Sequence, residues 1–157
     1  MKAASVSDIK KELKERSSAE VLELCLRLVR YKKENKELLT FLLFEASDID
    51  GFLQSVKEEI KESMREVNTS NLYFAKKSLR KILRSTNKYI RHAGSKTVEA
   101  ELLIFYCQQL KQSSIPYKKS TALVKLFEGQ LKKAQLAVTA LHEDLQYEYQ
   151  KEIEAIK

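Results

Sequence analysis

The chain has 157 residues, enough for one domain with a sizeable core, and 43% hydrophobic with 32% charged residues is ordinary for a water-facing globular fold. Only three Gly and one Pro leave few places for sharp turns, which favours long helices over many short strands. The formal net charge is +7, and it comes from one place: Val67 to Val98 holds eight of the 29 basic residues and no acidic one, leaving 21 against all 22 acidic residues elsewhere.

Periodicity and capping signals predict an all-α fold of about seven helices. The first runs from about Ser7 to Arg16, with Ser5 and Asp8 spaced as a capping box. Ser17 and Glu20 repeat that signature and open a second helix, with Val21, Cys25, Leu28 and Val29 on one face. The third, about Lys36 to Ala46, is apolar nearly all round, which predicts a place in the middle of the fold. Ser47 and Asp50 suggest the cap of a fourth helix, whose stripe of Phe52, Leu53, Val56 and Ile60 reaches Val67. The break NTSN, Asn68 to Asn71, caps a fifth helix that ends at Gly94, and Ser95 caps a sixth. After the loop SSIPY, Ser113 to Tyr117, one long helix is predicted from about Ser120 to Ala155. Its seam of Val124, Phe127, Leu131, Ala134, Val138, Leu141 and Leu145 alternates spacings of three and four. Unbroken, that helix spans roughly 50 Å at 1.5 Å per residue, with Gly129 as its weak point. The expected architecture is a single domain over 1–157, with helices in antiparallel pairs forming a bundle or a short α-solenoid-like stack. No repeat of the TPR or HEAT kind is present.

The fifth helix carries the charge. At 100° per residue, Lys76, Lys77, Arg80, Lys81, Arg84, Lys88 and Arg91 fall within an arc of about 140°, with Tyr73 on the same side. Leu72, Ala75, Leu79, Ile82, Leu83 and Ile90 occupy the opposite side. Folding does not require such a ridge, since like charges at i and i+4 repel by a few tenths of a kcal/mol each. Two explanations stand side by side. Glu58, Glu59, Glu62 and Glu66 of the preceding helix neutralise the ridge, or the ridge binds a polyanion: nucleic acid, an acidic protein or an anionic membrane surface. Nucleic acid is the preferred ligand, because Arg80, Arg84 and Arg91 suit bidentate phosphate contacts and Tyr73 or Tyr89 suits stacking on a base. No signature of base-specific readout accompanies them.

Signals of catalysis are weak. HEDLQ, from His142, departs from HExxH at Gln146, and His92 reads as a cation near a helix C-terminus. The scattered glycines build no phosphate loop. The expectation is therefore a non-enzymatic protein with no cofactor, no metal ligands and no small-molecule substrate. Neither a membrane span nor a signal segment is evident, so a cytoplasmic address and two buried thiols, Cys25 and Cys107, are expected. The rival to polyanion binding is a scaffolding module that docks a partner or a second copy through Val138, Leu141 and Leu145 of the C-terminal seam.

The runs RYKKENKELLTFLLFEA, SNLYFAKKSLRKILRSTNKYIRHAGSK and LHEDLQYEYQ together resemble a family of small, wholly helical, uncharacterised bacterial proteins. The resemblance implies a bacterial cytoplasmic protein and supplies no activity or site residues. The helix pairs also look like HEAT-type proteins that hold nucleic acid on basic helices, an analogy of fold alone.

Overall fold

The computed structural model describes all 157 residues, and it is helical throughout, with no strand. There are eight α-helices, where the sequence suggests seven, together with one π-helical and one 3-10 segment. Within the 1–157 span that the sequence suggests as one domain, contacts gather into two compact units, Met1–Phe44 and Glu45–Lys157.

The first unit holds α1 (Val6–Lys14), α2 (Ser18–Tyr31) and α3 (Lys33–Thr40). The Ser5 hydroxyl accepts the Asp8 N–H at 3.2 Å and donates to the Asp8 carboxylate at 2.7 Å. The second expected cap forms in full, with the Ser17 hydroxyl accepting from the Glu20 N–H and the Glu20 carboxylate accepting from the Ser17 N–H at 2.8 Å. That backbone bond from Ser17 is the main reason the Glu20 carboxyl is held below its ordinary pKa. Packing joins α2 to α3, and Asn35 donates to the Leu28 carbonyl at 2.7 Å.

The third predicted helix does not occupy the middle of anything. It ends at Thr40, whose hydroxyl donates back to the Lys36 carbonyl at 2.8 Å, a contact that competes with the regular ladder. The next turn, Phe41–Glu45, is π-helical. Phe41 is buried, but Leu42, Leu43 and Phe44 are exposed, Phe44 by 72%. Three short helices enclose too little volume to cover so many apolar side chains. Cys25, expected inside, is likewise exposed.

The second unit begins with α4 (Ile49–Arg65). Its cap is Asp48 rather than Ser47: the Asp48 carboxylate accepts the Gly51 N–H at 3.0 Å. A Cβ at position 51 would lie 2.3 Å from that carboxylate, so glycine makes room for the cap. Next comes α5 (Leu72–Ala93), started by the Asn71 side chain accepting from Tyr73 and Phe74 N–H groups. It is ended by Gly94 at φ 59°, where only glycine avoids a Cβ penalty. At the centre is α6 (Lys96–Gln112), buried on several sides through Val98, Leu102, Leu103, Ile104, Tyr106, Cys107 and Leu110. It packs against α4 and α5, and against two further helices, α7 (Thr121–Val138) and α8 (Glu143–Ile156).

Those last two helices replace the single long one expected from about Ser120 to Ala155. The break falls at Thr139–His142, not at Gly129, which sits inside α7. His142 caps α8 by accepting the Asp144 N–H, and Glu143 and Asp144 place negative charge at the positive end of its dipole. Gln146 then donates to the carbonyls of Thr139 and Leu141, satisfying the turn. After this turn α8 packs on both α6 and α7 and buries Ile153 and Ile156. Lys111 donates to the Ala155 and Ile156 carbonyls, closing the end of α8. Glu101 of α6 links two neighbours, accepting from Lys57 of α4 and from the Tyr149 hydroxyl of α8.

Candidate functional site

The buried face of α5 and one hydrogen bond from α6 fix how α5 is rotated. Its buried side carries Ala75, Leu79, Ile82 and Thr86, and the Thr86 hydroxyl is satisfied by the Ile82 carbonyl at 3.0 Å. From α6, the fully buried Tyr106 donates its hydroxyl to the Leu79 carbonyl at 3.1 Å. With that face locked inward, the opposite arc must face out.

It does. Lys77, Arg80, Lys81, Arg84 and Arg91 are exposed, Lys76 and Lys88 are half-buried, and Tyr73 is 67% exposed. The structure brings six of these eight side chains together: Tyr73, Lys76, Lys77, Arg80, Lys81 and Arg84 line one shallow concavity of about 490 Å³, with Ser78 beside them. No carboxylate lines it. Lys88 and Arg91 lie farther along the helix, and the Lys88 ammonium sits 5.5 Å from the centre of the Tyr89 ring.

The acidic residues of α4 are engaged elsewhere or lie to one side. Glu58 pairs with Lys61 at 3.5 Å, and Glu59 accepts from the Tyr89 hydroxyl at 2.7 Å. Glu59 and Glu66 border a separate polar groove of about 330 Å³ between α4 and α5, which Lys81 alone of the ridge also touches. No ion pair within 4.0 Å involves Lys76, Lys77, Arg80, Lys81, Arg84 or Arg91. Several cations within one or two helical turns, none with a carboxylate in contact, make a surface whose potential favours an anion.

Tyr89 is not placed to stack on a base. Its hydroxyl is engaged by Glu59, and its ring packs edge-on against Phe52 at 6.1 Å. Phe74 is the aromatic that the sequence reading overlooked. It is exposed and packs edge to face with Tyr73, ring centres 5.5 Å apart. At about 160° on the helical wheel it lies next to Lys81, a position that hydrophobicity alone does not distinguish from core. Ser78, in the concavity wall, was also overlooked.

The C-terminal docking residues are distributed differently. Val138 is 1% exposed and belongs to the core, while Leu141 and Leu145 are half-buried around the turn. His142 serves as a helix cap, and His92 stands in the last turn of α5. No helix is long and apolar enough to cross a membrane, and no group of His, Cys, Asp or Glu side chains is gathered as metal ligands would be.

No protein-family model matches this chain, and neither a curated protein nor a solved structure matches it. The resemblance to small helical bacterial proteins has no counterpart in these comparisons.

Proposed function

We propose that the second unit is a helical bundle, with helices consecutive in the chain paired antiparallel, which presents the outer face of α5 to a nucleic-acid backbone in the cytoplasm without catalysing a reaction. The observation that carries this reading is the concavity bearing Lys76, Lys77, Arg80, Lys81 and Arg84 with no carboxylate in its wall. From Lys76 to Arg91 the ridge spans roughly 22 Å at 1.5 Å per residue, room for several successive phosphates. Tyr73 and Phe74 at its start offer exposed rings for an unstacked base. Affinity of this kind is independent of sequence, because phosphate contacts position a ligand without reading its bases.

The test is binding of a labelled duplex and a labelled single strand at low salt. Wild type should bind both. Replacing Lys77, Arg80 and Arg84 together by Glu should abolish binding and leave the helical spectrum unchanged, because all three point away from the core. Binding to anionic vesicles or to an acidic protein, with none to either nucleic acid, would refute the reading.

A further inference from the structure

The first unit lacks cover. Its helices have 9, 14 and 8 residues and contain no buried residue, and helices that short are marginal in water alone. Of the 16 large apolar side chains exposed along the chain, 12 lie in Met1–Phe44, so the shortage is concentrated here. Between α1 and α2 an open groove of about 950 Å³ has Ile9 and Leu13 on one wall and Ala19 and Leu24 on the other. That volume corresponds to about two turns of an α-helix, taking a diameter of ~10 Å and a pitch of 5.4 Å.

The sequence of α2 identifies a helix that fits. Its residues are matched about Cys25: Val21 with Val29, Leu22 with Leu28, and Leu24 with Leu26. The charges are matched with opposite sign, Glu20 with Arg30 and Glu23 with Arg27. All four charged residues line the groove, so they share one flank of the helix. Across an antiparallel two-fold, that flank meets its own counterpart, and Glu23 of each copy faces Arg27 of the other. A parallel pairing would set that flank against the opposite one, which carries Leu22, Cys25 and Val29 and no charge. Val21, Leu24, Leu28 and Tyr31, spaced by three and four, supply the apolar seam, and all but Val21 are exposed. Glu20 is engaged by Ser17 and Arg16, but Glu23, Arg27 and Arg30 have no ion pair within the chain.

We propose that a second copy of this chain fills the groove, with α2 packed antiparallel on its mate about a two-fold axis at Cys25. This surface shares no residue with the basic face of α5.

The experiment uses the full chain. Sedimentation equilibrium of wild type should give twice the chain mass, falling to the monomer on dilution. Glu23→Arg and Arg27→Glu each place two like-charge contacts in the symmetric interface, and each should raise the dissociation constant roughly tenfold or more. An equimolar mixture of the two variants should recover wild-type affinity, since two Arg side chains of one copy then face two Glu side chains of the other. Should the single variants lose helix, wild type still decides. A short bismaleimide should link Cys25 to Cys25, and Cys25→Ser should abolish the product, Cys107 being buried. A wild type monomeric at every concentration, single reversals without effect, a mixture that stays weak, or no Cys25 cross-link would each overturn the proposal.

Discussion

The orientation of the basic face depends on how firmly α6 holds α5, and Tyr106 is the most informative place to perturb that grip. Its side chain is fully buried and its hydroxyl donates to the Leu79 carbonyl at 3.1 Å. In Tyr106→Phe the ring stays and the donor goes. Leu79 precedes Leu83 by four residues within α5, so its carbonyl keeps a helical partner and is not orphaned. The loss should therefore be that of one ordinary hydrogen bond, about 1 kcal/mol. Tyr106→Ala also removes the ring and opens a cavity at a fully buried site, which should cost about 3–5 kcal/mol. With a urea dependence of about 2 kcal/mol per M, the midpoints should fall by roughly 0.5 M and 2 M respectively. Urea titration followed by far-ultraviolet circular dichroism reads both. If the Phe variant loses as much as the Ala variant, or the Ala variant shifts by under roughly 0.5 M, then Tyr106 is not the anchor described.

Two further outcomes follow from the same core. Burial pushes the Cys107 thiol up to about 12 from 9.0, pushes the Tyr106 phenol up as well, and with Glu101 raises Tyr149 to about 12 from 10.0. These groups stay protonated in the fold after the unfolded chain has lost its protons, so their contribution is complete below pH 9 and is lost as pH rises. Unfolding free energy should decline from pH about 9 upward, and Cys107→Ala should delay the onset by about one pH unit, to where tyrosine ordinarily titrates. Stability that is flat or rising across that range contradicts the assignment. At the α7–α8 turn, Val138→Asp should unfold the second unit, because a carboxylate has no partner at a site 1% exposed. Leu141→Asp, half-buried, should cost only about 1–2 kcal/mol. Equal thermal melts for the two would show that the chain does not turn there.

Much of this fold was legible because local chemistry and tertiary packing agree. Ser17 with Glu20, Asn71, Gly94 and Ser95 mark helix ends by side-chain and backbone preferences that the structure keeps. The two faces of α5 followed from spacing alone, since every buried residue of that helix lies opposite the cations. The failures have a common cause. A heptad seam such as Val124 to Leu145 looks the same whether one helix continues or two share it across a turn. The turn at Thr139–His142 contains neither Gly nor Pro, and its cap is a histidine, which carries little positional signal. The apolar run Leu38 to Phe44 suggested a core because hydrophobicity does not say whether the cover comes from the same chain. For the basic face, the sequence supplied the cations, but where Glu59 and Glu66 lie relative to them depends on the packing of α4 against α5.

The most direct test of the central claim is the salt dependence of duplex binding, measured by fluorescence anisotropy for wild type and for the double variant Arg80→Gln with Arg84→Gln. If the five cations of the concavity each replace a counterion, the logarithm of the association constant should fall against the logarithm of salt with a slope of roughly −4 to −5. Removing two of them should bring that slope to roughly −2.5 to −3 with the helical spectrum intact. A wild-type slope near zero, or the same slope in both proteins, would contradict the account, because the phosphates would then be held by something other than the outer face of α5.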